Sequence, residues 1–142
     1  MGKYFTFNEL CASETAKRNK IENVPDDAIR WRIEKELIPT LDDIREQWGS
    51  PIRVTSGFRC TVLNKLVGGS STSSHKIGYA ADLQPINGEM ENFKTFLSEW
   101  AKYNDFDQII LEKCGKSEWI HFGLRNAEGK QRKQVFNFIT KK

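Results

Sequence analysis

The sequence has no run that approaches 18 apolar residues, so no segment of it predicts a transmembrane helix. Its first ten residues, MGKYFTFNEL, also lack the apolar stretch of a secretory signal, because Asn8 and Glu9 interrupt them. We therefore expect a protein that is made in the cytoplasm without a signal peptide and that does not enter a membrane.

Cysteine and net charge are also scarce. Three cysteines lie far apart, at Cys11, Cys60 and Cys114, and such a sparse, odd set argues against a disulfide framework and for a reducing compartment. No C-x2-C spacing supports a structural zinc site built on them. The formal net charge is only +3 with scattered basic residues, which does not favour a nucleic-acid partner. We expect a monomer.

The 142 residues that are present suit one domain. Residues 1–50 predict a helical lead-in, with a short helix within 4–18 and then an apolar stripe from Ile29 to Trp48 that is kinked or split at Pro39. Residues 51–142 predict the part of the domain that carries the sheet.

Within that second part, alternating apolar residues predict strands and a helical spacing predicts helices. The strands are expected at 51–56, 80–85, 106–112 and 118–125, with helices over 61–67 and 89–103. The last two strands read as a tight hairpin joined by KCGKS, whereas residues 132–139 fit either a helix or a strand. Because strands and helices do not alternate regularly, we predict an α+β domain with an antiparallel sheet flanked by helices.

The chain contains only two histidines, His75 and His121. His75 lies in a Ser-rich loop seven residues before Asp82, and Gly78 allows the chain to turn between them. Asp82 opens an apolar segment, where a carboxylate is costly to bury unless it is paired or binds a metal. Two imidazoles and one carboxylate form a ligand set that zinc takes in hydrolases. Spacing alone leaves open that Asp82 caps a turn and that His121 is an ordinary strand residue.

Residues 73–82, SSHKIGYAAD, resemble the S-x-H-x-x-G-x-A-x-D signature of the M15 zinc peptidases, and all five specified positions match. This family contains D-Ala-D-Ala carboxypeptidases, D-Ala-D-Ala dipeptidases and phage L-alanyl-D-glutamate endolysins. EWIH at 118–121 resembles the second signature, E-x-x-H. The block SGFRCTVLNKLVGGSSTSSH at 56–75 and the segment 5–25 are similar to the smaller members, so the similarity extends from about residue 5 to 125.

The resemblance implies a single M15-like zinc peptidase domain over 1–142 with a fold like that of hedgehog and the DD-peptidases. It also implies that His75, Asp82 and His121 bind one zinc ion per chain. In the same way it implies that Glu118 is the general base and later returns the proton to the leaving amine.

Two further residues acquire roles through the resemblance. Arg59 would face the substrate or the developing oxyanion, where its fixed guanidinium fork suits an oxygen acceptor. Ser73 would donate a hydrogen bond to the substrate near the metal. From spacing alone, Arg59 reads as a surface cation after a strand and Ser73 as part of a loop turn.

The position of Glu118 raises a geometric difficulty. Residues three apart on a regular strand face opposite sides of a sheet, so Glu118 and His121 could not both reach one zinc ion on an extended segment. Glu118 must then lie in the turn before the strand, or a bulge must re-aim it. Glu112, on the partner strand, is the alternative base. Trp119 shares the face of His121 and is a candidate wall of the site.

The resemblance implies peptidoglycan stem peptides with D-amino acids as substrates. We expect a phage-type endolysin endopeptidase that acts on the cell wall after release, because the sequence shows no signal peptide and no wall-binding module. A D-Ala-D-Ala carboxypeptidase of the same family is one alternative. A non-catalytic zinc-containing wall-binding or virion module, comparable to the hedgehog signalling domain, is another, but such a module needs no glutamate beside its metal.

Overall fold

The computed structural model describes residues 2–140, with side chains described up to residue 136. Its helices are α1 (Phe7–Cys11), α2 (Glu14–Arg18), α3 (Asp27–Arg32), a π-helical turn (Ile33–Leu37), α4 (Ile38–Trp48), α5 (Thr61–Leu66) and α6 (Met90–Ala101). Its strands are β1 (Ile52–Ser56), β2 (Ala80–Pro85), β3 (Gln108–Cys114), β4 (Ser117–Gly123) and β5 (Gln134–Thr140). No helix within this described range is long and apolar enough to span a membrane.

The lead-in is helical as predicted, but the segment 4–18 forms two short helices instead of one. Ala12 is extended, and the Ser13 side chain then accepts a hydrogen bond from the Ala16 N–H and starts α2. The long helix begins after Asp26, whose side chain caps the Ile29 N–H at 2.8 Å. It continues through the π-helical turn directly before Pro39, where the missing N–H weakens the regular ladder.

The five strands form one sheet in the order β1-β2-β4-β3-β5. The first four strands pair antiparallel, and β5 pairs parallel to β3. The prediction of an α+β domain with an antiparallel sheet flanked by helices is confirmed, and β5 adds a parallel strand at the edge of that mostly antiparallel sheet. The segment that fitted helix or strand is β5, because residues after β4 return to the start of β3, where the Gln134 N–H donates to the Asp107 carbonyl at 2.9 Å.

The turn of the β3–β4 hairpin is shorter than predicted, with two residues instead of the five of KCGKS. Cys114 pairs with Ser117 across the two residues Gly115 and Lys116, and Gly115 has a φ of 60°. A positive φ at a two-residue turn matches the twist of the flanking strands. The consequence is that Glu118 is a paired strand residue and does not lie in the turn.

One face of the sheet carries the hydrophobic core. Ile109, Leu111, Ile120 and Phe122 alternate along the hairpin and are at most 4% exposed, in one cluster with the apolar residues of α4 and α6. Each of these strands has a two-residue period, so the intervening residues lie on the opposite face. That second face is where the candidate site is found.

Candidate metal centre

The loop before β2 is held in place by its own backbone and by α3. The Arg59 N–H donates to the His75 carbonyl at 3.1 Å, and the His75 N–H donates to the Ser73 hydroxyl at 3.1 Å. Gly78 has a φ of +83°, and a Cβ there would lie 2.8 Å from Cγ2 of Ile29. The predicted turn at Gly78 is confirmed, because both the backbone angle and the close helix favour glycine.

His75 is buried, with 2% of its surface exposed. Its Nδ1 lies 2.7 Å from the carbonyl oxygen of Gly57, so Nδ1 carries the proton and donates. Nε2 is then the ring nitrogen that faces Asp82, at 3.3 Å from Oδ1. Gly57 is packed so closely that a Cβ would lie 2.2 Å from the Leu10 carbonyl oxygen. A backbone carbonyl therefore orients this imidazole for metal binding.

Asp82 and His121 are direct partners across β2 and β4, which places their side chains together. Nδ1 of His121 lies 3.2 Å from Oδ1 of Asp82. Burial alone would raise the pKa of Asp82, but its contacts with His75 and His121 outweigh burial and hold the pKa well below its usual range. One ligand atom from each of the three residues lies within 4.8 Å of the others. The structure thus brings the three predicted ligands together.

This donor set fits zinc. Two imidazole nitrogens and one carboxylate oxygen are ligands that zinc prefers, and three protein ligands leave a position for water or substrate. The cluster is built from a buried loop histidine and two adjacent strands, so the fold itself positions the three side chains. Cys60 and Cys114 belong to no such cluster among the described residues, and both are free thiols.

The carboxylate on the metal face is Glu112 and not Glu118. Ile110 pairs with His121 and Glu112 pairs with Trp119, so these four residues share one face of the hairpin. Glu112 is 8% exposed and lines the cleft, and Nε1 of Trp119 donates to its Oε1 at 2.8 Å.

Glu118 shares the opposite face with Ile120 and Phe122, and β4 has no bulge against β3 that would re-aim it. It is not among the residues that line the cleft in the described part of the chain. Glu118 therefore lies neither in the turn nor at a bulge, the two positions from which it could reach the metal. The two-residue turn makes it part of a regular strand.

Arg59 and Ser73 do lie at the site. The Arg59 guanidinium donates to the Ser73 hydroxyl at 3.4 Å, and both residues line the cleft. Burial lowers the pKa of Arg59 by more than the nearby carboxylates of Asp82 and Glu112 raise it, so the pKa lies below its usual value. The guanidinium stays protonated at neutral pH. Ser73 accepts hydrogen bonds from Arg59 and from the His75 N–H, so its hydroxyl positions the loop as well as facing the cleft.

The three candidate metal ligands lie in a cleft of about 1010 Å³. One wall is the loop from Val67 to Ser74, and another is formed by residues 126–128 and Arg132. Trp119 lines it as predicted. A cleft of this size lies at the upper end of the range for small-ligand sites, so it has room for several residues of an extended peptide.

Two features of the site carried no signal in the sequence. The side chain of Asn23 donates to the carbonyls of Cys11 and Phe58 and accepts from the Cys60 N–H, which fastens the segment around Arg59 to the helical lead-in. A single asparagine in a loop gives no indication of such a role in the sequence.

The second such feature is the pair of Asp107 and Arg132, which meets at the cleft from distant parts of the chain. A residue just before the hairpin and a cation 25 positions later in a basic stretch show no relation in the sequence.

The family comparison agrees with this geometry. The family model described as Peptidase M15 matches residues 3–123, which include every predicted site residue. No curated protein matches the chain. The chain belongs to the M15 peptidase family, whose members are zinc-dependent metallopeptidases that act on peptidoglycan-like substrates.

Proposed function

We propose that this member of the M15 peptidase family is a zinc-dependent endopeptidase of the phage endolysin type, which cleaves peptidoglycan stem peptides containing D-amino acids. The observation that carries the proposal is the cluster of His75, Asp82 and His121 at the floor of an open cleft, with the Glu112 carboxylate on the same face. A binding module would need the metal ligands but not the additional buried glutamate.

The residues divide the chemistry between them. Zinc held by His75, Asp82 and His121 would act as a Lewis acid and lower the pKa of a water molecule. Glu112, held by the indole of Trp119, takes a proton from the attacking water and passes it to the leaving amine.

Arg59 and Ser73 act on the substrate. The protonated guanidinium of Arg59 donates to the oxygen on which negative charge develops, which stabilises the transition state more than the bound substrate. Ser73 keeps that guanidinium in place through their hydrogen bond and donates its own proton to the substrate backbone.

The size of the cleft supports an endopeptidase over a carboxypeptidase. A carboxypeptidase that removes one D-Ala needs room for a single small residue beyond the scissile bond. The cleft extends from the loop 67–74 on one side of the metal centre to residues 126–128 and Arg132 on another. Peptide can therefore lie on both sides of the scissile bond. The proposal includes action on the cell wall after release from the cell that makes the protein.

The test is digestion of purified peptidoglycan sacculi by the zinc-loaded protein, with mass spectrometry of the soluble fragments. We expect zinc-dependent release of fragments with new internal peptide ends, which a chelator stops and added zinc restores. The His121→Ala variant is the matched control for contaminating hydrolases. Release of D-Ala alone would replace the endopeptidase by a carboxypeptidase. No release by a protein that holds one zinc per chain would overturn the enzymatic proposal.

A further inference from the structure

At the end of the cleft away from the hairpin turn, an arginine is held by a buried aspartate. Nε and Nη2 of Arg132 donate to the two carboxylate oxygens of Asp107 at 2.7 and 2.8 Å, and the Arg132 N–H donates to Oδ1 at 3.2 Å. Asp107 is 1% exposed. The Arg132 side chain is 42% exposed, and Arg132 lines the cleft. This bidentate pair fixes the plane of the guanidinium.

The pair leaves Arg132 with hydrogen-bond donors to spare. A guanidinium has five N–H donors in a planar fork, and Asp107 occupies one on Nε and one on Nη2. The Nη1 group has no hydrogen-bond partner among the residues that the structure describes. An arginine that is immobilised on one edge and open on the other is suited to bind a second carboxylate.

The register of the strands gives the location of this arginine relative to the metal. On the metal face, the pair Gln108–Gly123 follows the pair Ile110–His121, about 6.6 Å further along the strands. Asp107 directly precedes Gln108, so its partner Arg132 lies at this level of the cleft. A peptide residue spans about 3.5 Å, and this level is therefore one to two residues away from the scissile bond.

Gly123 keeps the floor open between the two levels. A Cβ at this position would lie 3.5 Å from Nε2 of His121 and 3.8 Å from the Gln108 nitrogen, so it would point onto the metal face. Glycine inside a strand weakens the strand and often marks a place where a ligand approaches the backbone. No side chain of β4 thus separates the metal centre from Arg132.

We propose that Arg132, positioned by Asp107, binds a carboxylate of the stem peptide one to two residues from the scissile bond and makes the enzyme prefer the free acid over the amidated peptide. The inference rests on the proposed function and names a specificity determinant for it. A D-glutamate linked through its side chain offers such a carboxylate, and so does an unlinked diamino acid. Arg132 lies outside the residues that the family model matches, so the role is argued from this chain alone.

The experiment compares two synthetic stem peptides that differ only in the α-group of D-glutamate, which is a carboxylate in one and a primary carboxamide in the other. For the wild-type protein we expect kcat/KM to be about 10- to 100-fold higher for the acid. Arg132→Gln should bring this ratio close to one, through a higher KM for the acid and little change for the amide. Arg132→Lys keeps the charge but loses the fork, and should retain part of the preference.

Lys130→Gln is the matched control, because it removes one positive charge from the same loop at an exposed residue that does not line the cleft. It should keep the wild-type ratio. Each ratio is measured on one protein preparation, so partial unfolding of a variant cancels. An unchanged ratio in Arg132→Gln, or equal losses on both peptides, would overturn the proposal.

Calorimetric titration of both peptides into the zinc-loaded wild-type and Arg132→Gln proteins separates this inference from the proposed function. If neither peptide is cut but the wild-type protein binds the acid more tightly and the variant does not, the endopeptidase proposal fails and the carboxylate subsite stands. If cleavage occurs with equal binding and equal turnover of acid and amide, the subsite fails and the endopeptidase proposal stands.

Discussion

The two faces of the β3–β4 hairpin differ in almost every respect although they share one backbone. One face carries Ile109, Leu111, Ile120 and Phe122, which are buried against the helices. The other carries Gln108, Ile110, Glu112, Trp119 and His121, and all five line the cleft. The strands are the same, so the difference arises only from which residues occupy alternate positions.

This comparison explains why the two glutamates of the hairpin are not equivalent. Glu112 and His121 are on the same face because Glu112 pairs with Trp119, which lies two residues from His121. Glu118 lies three residues from His121, and an odd separation on a regular strand puts it on the helix-facing side. The spacing of E-x-x-H therefore does not by itself place its glutamate on the face of its histidine.

The largest effects are expected from two substitutions at neighbouring positions of β4, one on each face of the hairpin. His121→Ala should abolish zinc binding and hydrolysis, because it removes one of three ligands. Phe122→Ala should instead lower the free energy of unfolding by about 3–5 kcal/mol, because Phe122 is fully buried in the core. Zinc content, sacculus digestion and denaturant unfolding measure the three quantities. A His121→Ala protein that keeps its zinc would show that the polar face is not the metal site.

The next largest effect is a difference in kcat between variants of the two glutamates. Glu112→Gln should lower kcat by about 10²- to 10⁴-fold with zinc retained, because the amide cannot accept the proton but keeps the shape of the side chain. Glu118→Gln makes the same chemical change on the other face and should leave kcat close to that of the wild type. Steady-state kinetics on a stem peptide, together with zinc content, checks both variants. The reverse pattern would return the base to Glu118 and require the hairpin to rearrange when substrate binds.

A smaller loss is expected at Arg59. Arg59→Lys keeps a positive charge in the cleft but loses the fork that contacts Ser73, and kcat should fall about 10- to 100-fold. Arg53→Lys is the control, because Arg53 is exposed on β1 and does not line the cleft. If Arg59→Lys changed only KM, the guanidinium would bind substrate and transition state equally, and its role on the oxyanion would be wrong.

The smallest effect tests how far the polar face depends on the helical lead-in. Asn23→Ala removes two hydrogen bonds to the backbone on either side of Arg59 and one to the carbonyl of Cys11 in α1, and we expect a loss of about 1–3 kcal/mol in the free energy of unfolding. Because the metal ligands are untouched, zinc affinity should change little. Asn92→Ala on α6, where the exposed side chain donates to the exposed Glu89 carboxylate, should be nearly neutral. Equal stability losses in both variants would mean that Asn23 is an ordinary surface residue.

Much of the fold was predictable because it rests on local patterns. The apolar stripe from Ile29 to Trp48, the alternation on the strands and the turn glycines Gly78 and Gly115 are all short-range signals, and the corresponding elements are present. The pairing of β5 with β3 was not predictable. The two strands meet because the chain returns to the start of β3 after β4. The residues of β5 do not indicate which strand they pair with.

The sequence by itself indicated the candidate metal ligands, because the resemblance to the M15 signatures marks His75, Asp82 and His121, and the structure brings one ligand atom of each within 4.8 Å of the others. Only the tertiary structure decided which glutamate of the hairpin lies on the same face as His121. The two-residue turn of the hairpin settles the register, and the register settles the face of every side chain on both strands.

The same holds for the partners of these residues. The carbonyl of Gly57 that orients His75, the side chain of Asn23 that fastens the Arg59 segment and the Asp107–Arg132 pair at the cleft are contacts between positions 18 to 37 residues apart. The sequence gives the chemical type of each residue, but the distance between two residues that are far apart in the chain depends on how the chain packs. A catalytic site depends on those distances, so its outline can be inferred from a motif whereas its supporting contacts require the fold.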